Sequence, residues 1–262
     1  MASSAKAKSQ VAGLESSKPQ AANISSPLQY FSDSSIGRKL VMAATGGLLI
    51  LFLVAHVVGN LQMFAGQEKI NAYGAMLREM PAVLWPARAG LLAIFAVHVL
   101  MAFQLRSLNS KAKPQKYESP ATVQASAASL YMLETGLVVL FFVVMHLLHF
   151  TLGTLQPENF HLLDAKGRHD IYSIVILGFQ NRAYALAYVL CMIGLGVHLS
   201  HAIASMFQTL GWYSTYATPI VRKASRLVAG ALVLAYISIP VAVQLGVITL
   251  PSAESSELKK EH

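Results

Sequence analysis

The stretch LVMAATGGLLILFLVAHVVGNLQMF, residues 40–64, decides how this chain is read. It holds no Asp, Glu, Lys or Arg, yet it carries a histidine, His56. A hydrocarbon core of about 30 Å requires roughly 20 apolar residues of a helix that rises about 1.5 Å per residue, so residues 40–64 form a membrane span. Working outward, four further apolar runs meet the same requirement, at residues 83–105, 126–155, 183–210 and 227–250. Pro240 is expected to kink the fifth, and Pro251 follows its end. The whole chain agrees: 55% of its 262 residues are hydrophobic and 12% charged, with a mean hydropathy of +0.51, too apolar for a soluble domain of this length. The expected fold class is an all-α integral membrane protein of five transmembrane helices, multi-pass, with a helical bundle as its core. Residues 1–34, rich in Ser, Ala, Lys and Gln and without an apolar h-region, read as a disordered cytoplasmic tail. Residues 35–251 are the membrane domain and 252–262 a polar C-terminal tail.

A formal charge of +8 does not indicate nucleic acid, because the basic residues flank the apolar runs and form no single patch. With the N-terminus inside, the inner segments hold Lys6, Lys8, Lys18, Arg38, Lys39, Arg106, Lys111, Lys113, Lys116, Arg222, Lys223 and Arg226, twelve of the 20 basic residues. The positive-inside rule then favours an inside N-terminus and an outside C-terminus. The lone cysteine, Cys191, rules out a disulfide framework, a thiolate-bound iron–sulfur cluster and covalent haem attachment. There is no Gly-rich dinucleotide or Walker loop, so the chain cannot oxidise a soluble metabolite unaided.

Six of the nine histidines fall within the spans: His56, His98, His146, His149, His198 and His201. Ionisable groups at membrane depth are costly and mark ligands, ion paths or proton relays. Any one of them serves equally well as a neutral imidazole hydrogen-bonded between helices; their joint depth favours more. Helices one and three run outward and carry His56 and His146 late, whereas helices two and four run inward and carry His98 and His198 late. Two opposed pairs result, an outer one of His56 with His146 and an inner one of His98 with His198. Each suits the two axial positions of a haem iron, so the pattern implies two haem b groups in one bundle, with these four residues as metal ligands.

Thr45-Gly46 precedes His56 as Thr135-Gly136 precedes His146, by eleven and ten residues. Ten residues span about 15 Å of helix, which puts each glycine at the inner histidine layer, where a missing side chain admits a porphyrin or simply packs helices. His149 and His201, three residues after His146 and His198, share a face with them and read as supporting groups near haem propionates or a quinone, or as interhelical hydrogen-bond partners. Arg88 sits at the outer layer's depth, where it either pairs with a propionate or snorkels to the surface. His161 and His169 fall in the polar loop between helices three and four, where solvated residues are expected and no zinc-ligand spacing occurs.

These segments resemble a known family. Ser35-Ile36-Gly37-Arg38-Lys39, Met42-Ala43, Thr45-Gly46 and His56-Val57-Val58-Gly59-Asn60-Leu61 resemble the first helix of the cytochrome b558 subunit, the dihaem anchor of succinate dehydrogenase and fumarate reductase. Thr135-Gly136 with His146-Leu147-Leu148-His149-Phe150-Thr151 is similar to its third helix. His198-Leu199-Ser200-His201, Ser205 and Phe207-Gln208-Thr209-Leu210-Gly211-Trp212 are similar to its fourth. The resemblance covers about residues 35–250. It implies axial ligation by the first histidine of each doublet, a quinone with menaquinone as the expected type, and a bacterial inner-membrane location. It also implies flavoprotein and iron–sulfur partners on the cytoplasmic side, which carry out the dicarboxylate chemistry of respiratory complex II. The family's quinone-site residues match too loosely to carry over; Glu68 and Glu79 near the outer surface and Arg38 near the inner one are the candidates for a quinone or propionate. Where some dihaem fumarate reductases have a glutamate two residues before the fourth ligand, this chain has Gly196, so that proton route does not carry over. Two other readings compete: a dihaem b subunit of a hydrogenase or formate dehydrogenase, and a haem-free proton-coupled transporter.

Overall fold

The structure is a computed structural model that describes residues 34–111 and 131–251. The expected disordered tail at residues 1–33, the polar tail at 252–262 and the start of the third span at 126–130 lie outside the described residues. Within them all regular elements are helical and no strand occurs. Five stretches are long and apolar enough to cross a membrane: Ser35–Ala65, Pro81–Ser110, Met132–Thr151, Arg182–Thr209 and Ala217–Gln244.

Helix α1, Ser35–Asn60, starts on the Ser34 hydroxyl, which accepts the Gly37 N–H at 2.9 Å. It tightens into a 3₁₀ turn at Leu61–Ala65, and Gly66, at φ 91°, reverses the chain into α2, Gln67–Arg78. Helix α3, Pro81–Lys111, returns across the bundle. Helix α4, Met132–His146, ends in a π turn over Leu147–Thr151, with the Leu152 N–H reaching the Leu147 carbonyl at 2.8 Å. The third span thus stops short of residue 155. Two short helices follow, α5 (Pro157–Phe160) and α6 (Ile171–Gln180). Helices α7 (Arg182–Thr209) and α8 (Ala217–Gln244) complete the chain. Helix α8 begins well before residue 227, because Arg222, Lys223 and Arg226 extend a helix readily although they close the apolar run. It carries Pro240 inside and continues to Gln244.

The connection between the third and fourth spans is not the plain polar loop expected from sequence. Asp170 caps α6 through the Ser173 N–H, and the apolar face of α6 packs with α2 to form a cap over one end of the bundle. An ionic clasp fastens this cap. Glu68 takes Arg168 and Lys166, each at 2.8 Å, and Arg168 also holds Asp164 at 2.7 Å. Beneath it the fully buried Asn71 donates to Asp164 at 3.1 Å and to Asp170 at 2.8 Å.

Helix α7 is the hub, packed along α8, α4 and α1. Its glycines allow the close approach on which membrane helix packing depends. A Cβ at Gly194 would meet Val138 of α4 at 2.9 Å, and one at Gly196 would meet Val233 of α8 at 2.6 Å. Among the spans α3 packs closely only along α1, and it buries none of its apolar window. Neither α1 with α4 nor α3 with α7 makes comparable close contact among the described residues. These two loosely packed pairs are the ones that bear facing histidines.

Candidate functional site: two histidine layers

His56, late in α1, faces His146, the last residue of α4, across the first gap. Their ring centroids lie 5.8 Å apart with planes at 81°. Phe52 stacks on His56 at 5.1 Å and Phe142 on His146 at 5.6 Å. His98 of α3 and His198 of α7 form the second layer, near enough to interact electrostatically. All four imidazoles are half-buried.

The second layer is built by the repeated Thr-Gly pairs. The Thr45 hydroxyl donates to the Val41 carbonyl at 2.8 Å and lies 3.1 Å from His98 Nδ1. The Thr135 hydroxyl donates to the Tyr131 carbonyl at 2.9 Å and lies 3.3 Å from His198 Nδ1. Each hydroxyl has spent its one proton on a carbonyl, so it accepts from the imidazole. The Met42 and Met132 carbonyls, which also face these two rings, likewise only accept. Both histidines therefore carry their proton on Nδ1 and leave the Nε2 lone pair free for a metal. The glycines lie in this layer, as their spacing predicts, but the group each one accommodates is an imidazole. A Cβ at Gly46 would stand 3.3 Å from His98 Cε1, and one at Gly136 would stand 3.5 Å from His198 Cε1.

Were haem bound, the paired imidazoles of each layer would offer the nitrogen donors that its iron takes from a protein. Among the described residues no three His, Cys, Asp or Glu side chains converge into a protein-only metal cage.

His149, 2% exposed, is fully engaged. Its Nδ1 meets the Tyr188 hydroxyl at 3.1 Å and its Nε2 meets Gln156 Oε1 at 2.9 Å. The bond to Tyr188 joins the π turn at the end of α4 to α7. His201 is half-buried and interacts electrostatically with Arg222. Arg88 lies 5.4 Å over the Trp85 ring, one turn nearer the capped end. With Arg78, Trp85, Phe150, Thr151 and Phe160 it lines a cavity of about 300 Å³. Arg38 stands in the first turn of α1, two turns before Thr45. Glu68 is committed to the clasp, and Glu79 borders a cavity of about 260 Å³ with Arg78, Arg168 and His169. His161 and His169 pack edge-on against Phe160, each at 5.4 Å.

Sequence reasoning missed Tyr188 and Gln156. Tyr188 precedes His198 by ten residues, the same spacing that relates Gly46 to His56, and this places its hydroxyl at the level of His146. Comparison of the chain with family models, curated proteins and solved structures gave no match.

Proposed function

We propose that this chain is the dihaem cytochrome b subunit and membrane anchor of a succinate:quinone oxidoreductase, seated in a bacterial cytoplasmic membrane with its N-terminus inside and its capped end outward. His56 with His146 would hold one haem b, and His98 with His198 the other. The observation that carries the reading is the pair of histidine layers, with His56 and His146 in ring contact in one and both Nδ1 atoms of the other within hydrogen-bond distance of threonine hydroxyls. Haem, when bound, supplies reversible one-electron chemistry at a potential set by its axial ligands, their hydrogen bonds and burial. The chain's own residues hold, orient and shield. The imidazoles ligate, Thr45 and Thr135 fix two of them in the ligating tautomer, and Phe52 and Phe142 pack against the other two.

The two layers are separated by about 15 Å of helix, so together they form a path along the membrane normal. Electrons would pass between an iron–sulfur subunit docked at the N-terminal end of α1 and a quinone, expected to be menaquinone. Succinate or fumarate would be handled by a flavoprotein partner. The resemblance of the helix-one, helix-three and helix-four segments selects this complex over other quinone-linked ones.

Purification of the chain with its partners, followed by haem quantification and addition of succinate, tests the proposal. It expects two haem b per chain, reduced by succinate. Haem reduced by hydrogen or formate and not by succinate would assign the chain to another complex.

A further inference from the structure

We infer that Tyr188 is a positioning residue for His146, held in its role by a hydrogen-bond relay that runs through His149 to Gln156; the inference rests on the haem-ligand reading of His146. The donors and acceptors fix its direction. The Gln156 carbonyl oxygen can only accept, so His149 carries its proton on Nε2, 2.9 Å away. A second proton would put an unpaired charge on a ring that is 2% exposed, with no carboxylate among its hydrogen-bond partners, at a depth where charge is expensive. His149 Nδ1 is therefore a lone pair, and the hydrogen it takes, at 3.1 Å, is the Tyr188 O–H. Having donated, the Tyr188 oxygen is an acceptor. It lies 3.4 Å from His146 Nδ1, a long contact but the only polar atom offered to that nitrogen among the described residues. The His146 proton is thus placed on Nδ1, leaving Nε2 as the lone pair available in the gap shared with His56.

The surroundings hold each member in place. Phe150 stacks on His149 at 4.0 Å, and Tyr184 lies tilted against it at 4.6 Å. A Cβ at Gly178 of α6 would come within 3.2 Å of His149 Nε2, so α6 closes over the relay with nothing to spare. The π turn Leu147–Thr151 carries His149 into this cage, and π turns inside helices recur at functional sites. The two layers therefore reach the same tautomer by different means. In the second layer a hydroxyl one helix away takes the Nδ1 proton, whereas His146 relies on a phenol oriented by two further residues. His56 has no ring hydrogen bond among the described residues, so the first layer has a single oriented imidazole.

An acceptor on the far nitrogen makes an imidazole a stronger ligand, and losing such a partner typically costs ten- to a hundred-fold in metal affinity. In the purified complex, Tyr188→Phe is expected to weaken retention of the His56–His146 haem by about that factor under challenge with a haem-scavenging apoprotein. It is also expected to raise that haem's midpoint potential and leave the other haem unchanged. His149→Leu is expected to act in the same direction. His149→Gln, which can accept from Tyr188 and donate to Gln156, is expected to recover most of the loss. Unchanged retention and potential in Tyr188→Phe would overturn the relay, as would equal effects of the Leu and Gln variants, which would mean that His149 only fills space. Those results would leave the cytochrome reading standing, whereas a wild-type complex without haem would overturn both.

Discussion

A single proton position decides whether a membrane histidine can serve as a ligand, and in this chain the neighbouring side chain sets it. Thr45 and Thr135 each accept from an Nδ1 only because their own protons go to the Val41 and Tyr131 carbonyls. Thr45→Val or Thr135→Val removes a hydroxyl without changing shape much. Either is expected to weaken the haem between His98 and His198 by about tenfold and to spare the other, as haem per chain after detergent challenge would show. Replacing a ligand outright is harsher: His56→Ala or His146→Ala should remove one haem and His98→Ala or His198→Ala the other. Loss of a haem from His149→Ala to the same extent as from His146→Ala would mean that the wrong member of the doublet had been chosen. The glycines rank by distance. Gly136→Ala places its methyl at ordinary contact, 3.5 Å from His198, and should be silent, whereas Gly46→Ala presses on His98 at 3.3 Å and should reduce haem content measurably. Gly196 has a local reason of its own, since any side chain there would run into Val233.

At the scale of elements, the cap over one end of the bundle is the part that pH should reach first. Glu68 is held down to about 2, first by its hydrogen bond from Arg168 and then by that from Lys166. Burial pushes Asp164 upward, but its bonds from Arg168 and Asn71 outweigh that and bring it to about 2. Carboxyls depressed in this way contribute their stability in full above the unfolded value of about 4, and lose it as the pH falls toward 2. His169 is lowered to about 4, first by burial and then by Arg78. The unfolded ring binds its proton near 6.5, so the folded form loses ground between about pH 6.5 and 4. Amide protection factors in α2 and α6, corrected for the intrinsic pH dependence of exchange, should therefore fall below about pH 6.5 and again below about pH 4, while those in α7 stay high. Arg168→Met should blunt the lower step. Exchange that quickens equally in α7 would show that the cap is not a separate unit. The same region shows what the sequence conceals. The five spans could be read because each is a long apolar run, whereas α2 and α6 are too short to span. Their signals are local, namely Asp170 as a cap before Ile171-Tyr172-Ser173-Ile174-Val175-Ile176 and the spacing of Ile70, Gly74 and Leu77, and only the packing of the two helices against each other fixes them. The π turn after His146 leaves no composition signal, which is why a regular helix to residue 155 is expected and not found.

Across the whole molecule, the layering of histidines could be read from sequence because helix rise is constant: counting residues along antiparallel helices gives depth. Lateral packing could not be counted in this way. The structure adds that α7 packs along α8, α4 and α1, while α1 with α4 and α3 with α7 make few close backbone contacts among the described residues. Two histidine layers at two depths along these helices carry the proposal that the bundle would hold two haems. The most direct test is the reduced-minus-oxidised absorbance spectrum of the purified chain with its partners, read together with haem per chain. The account predicts b-type bands and two haems, falling to one in His146→Ala and in His198→Ala. A well-folded complex without b-type bands would contradict it.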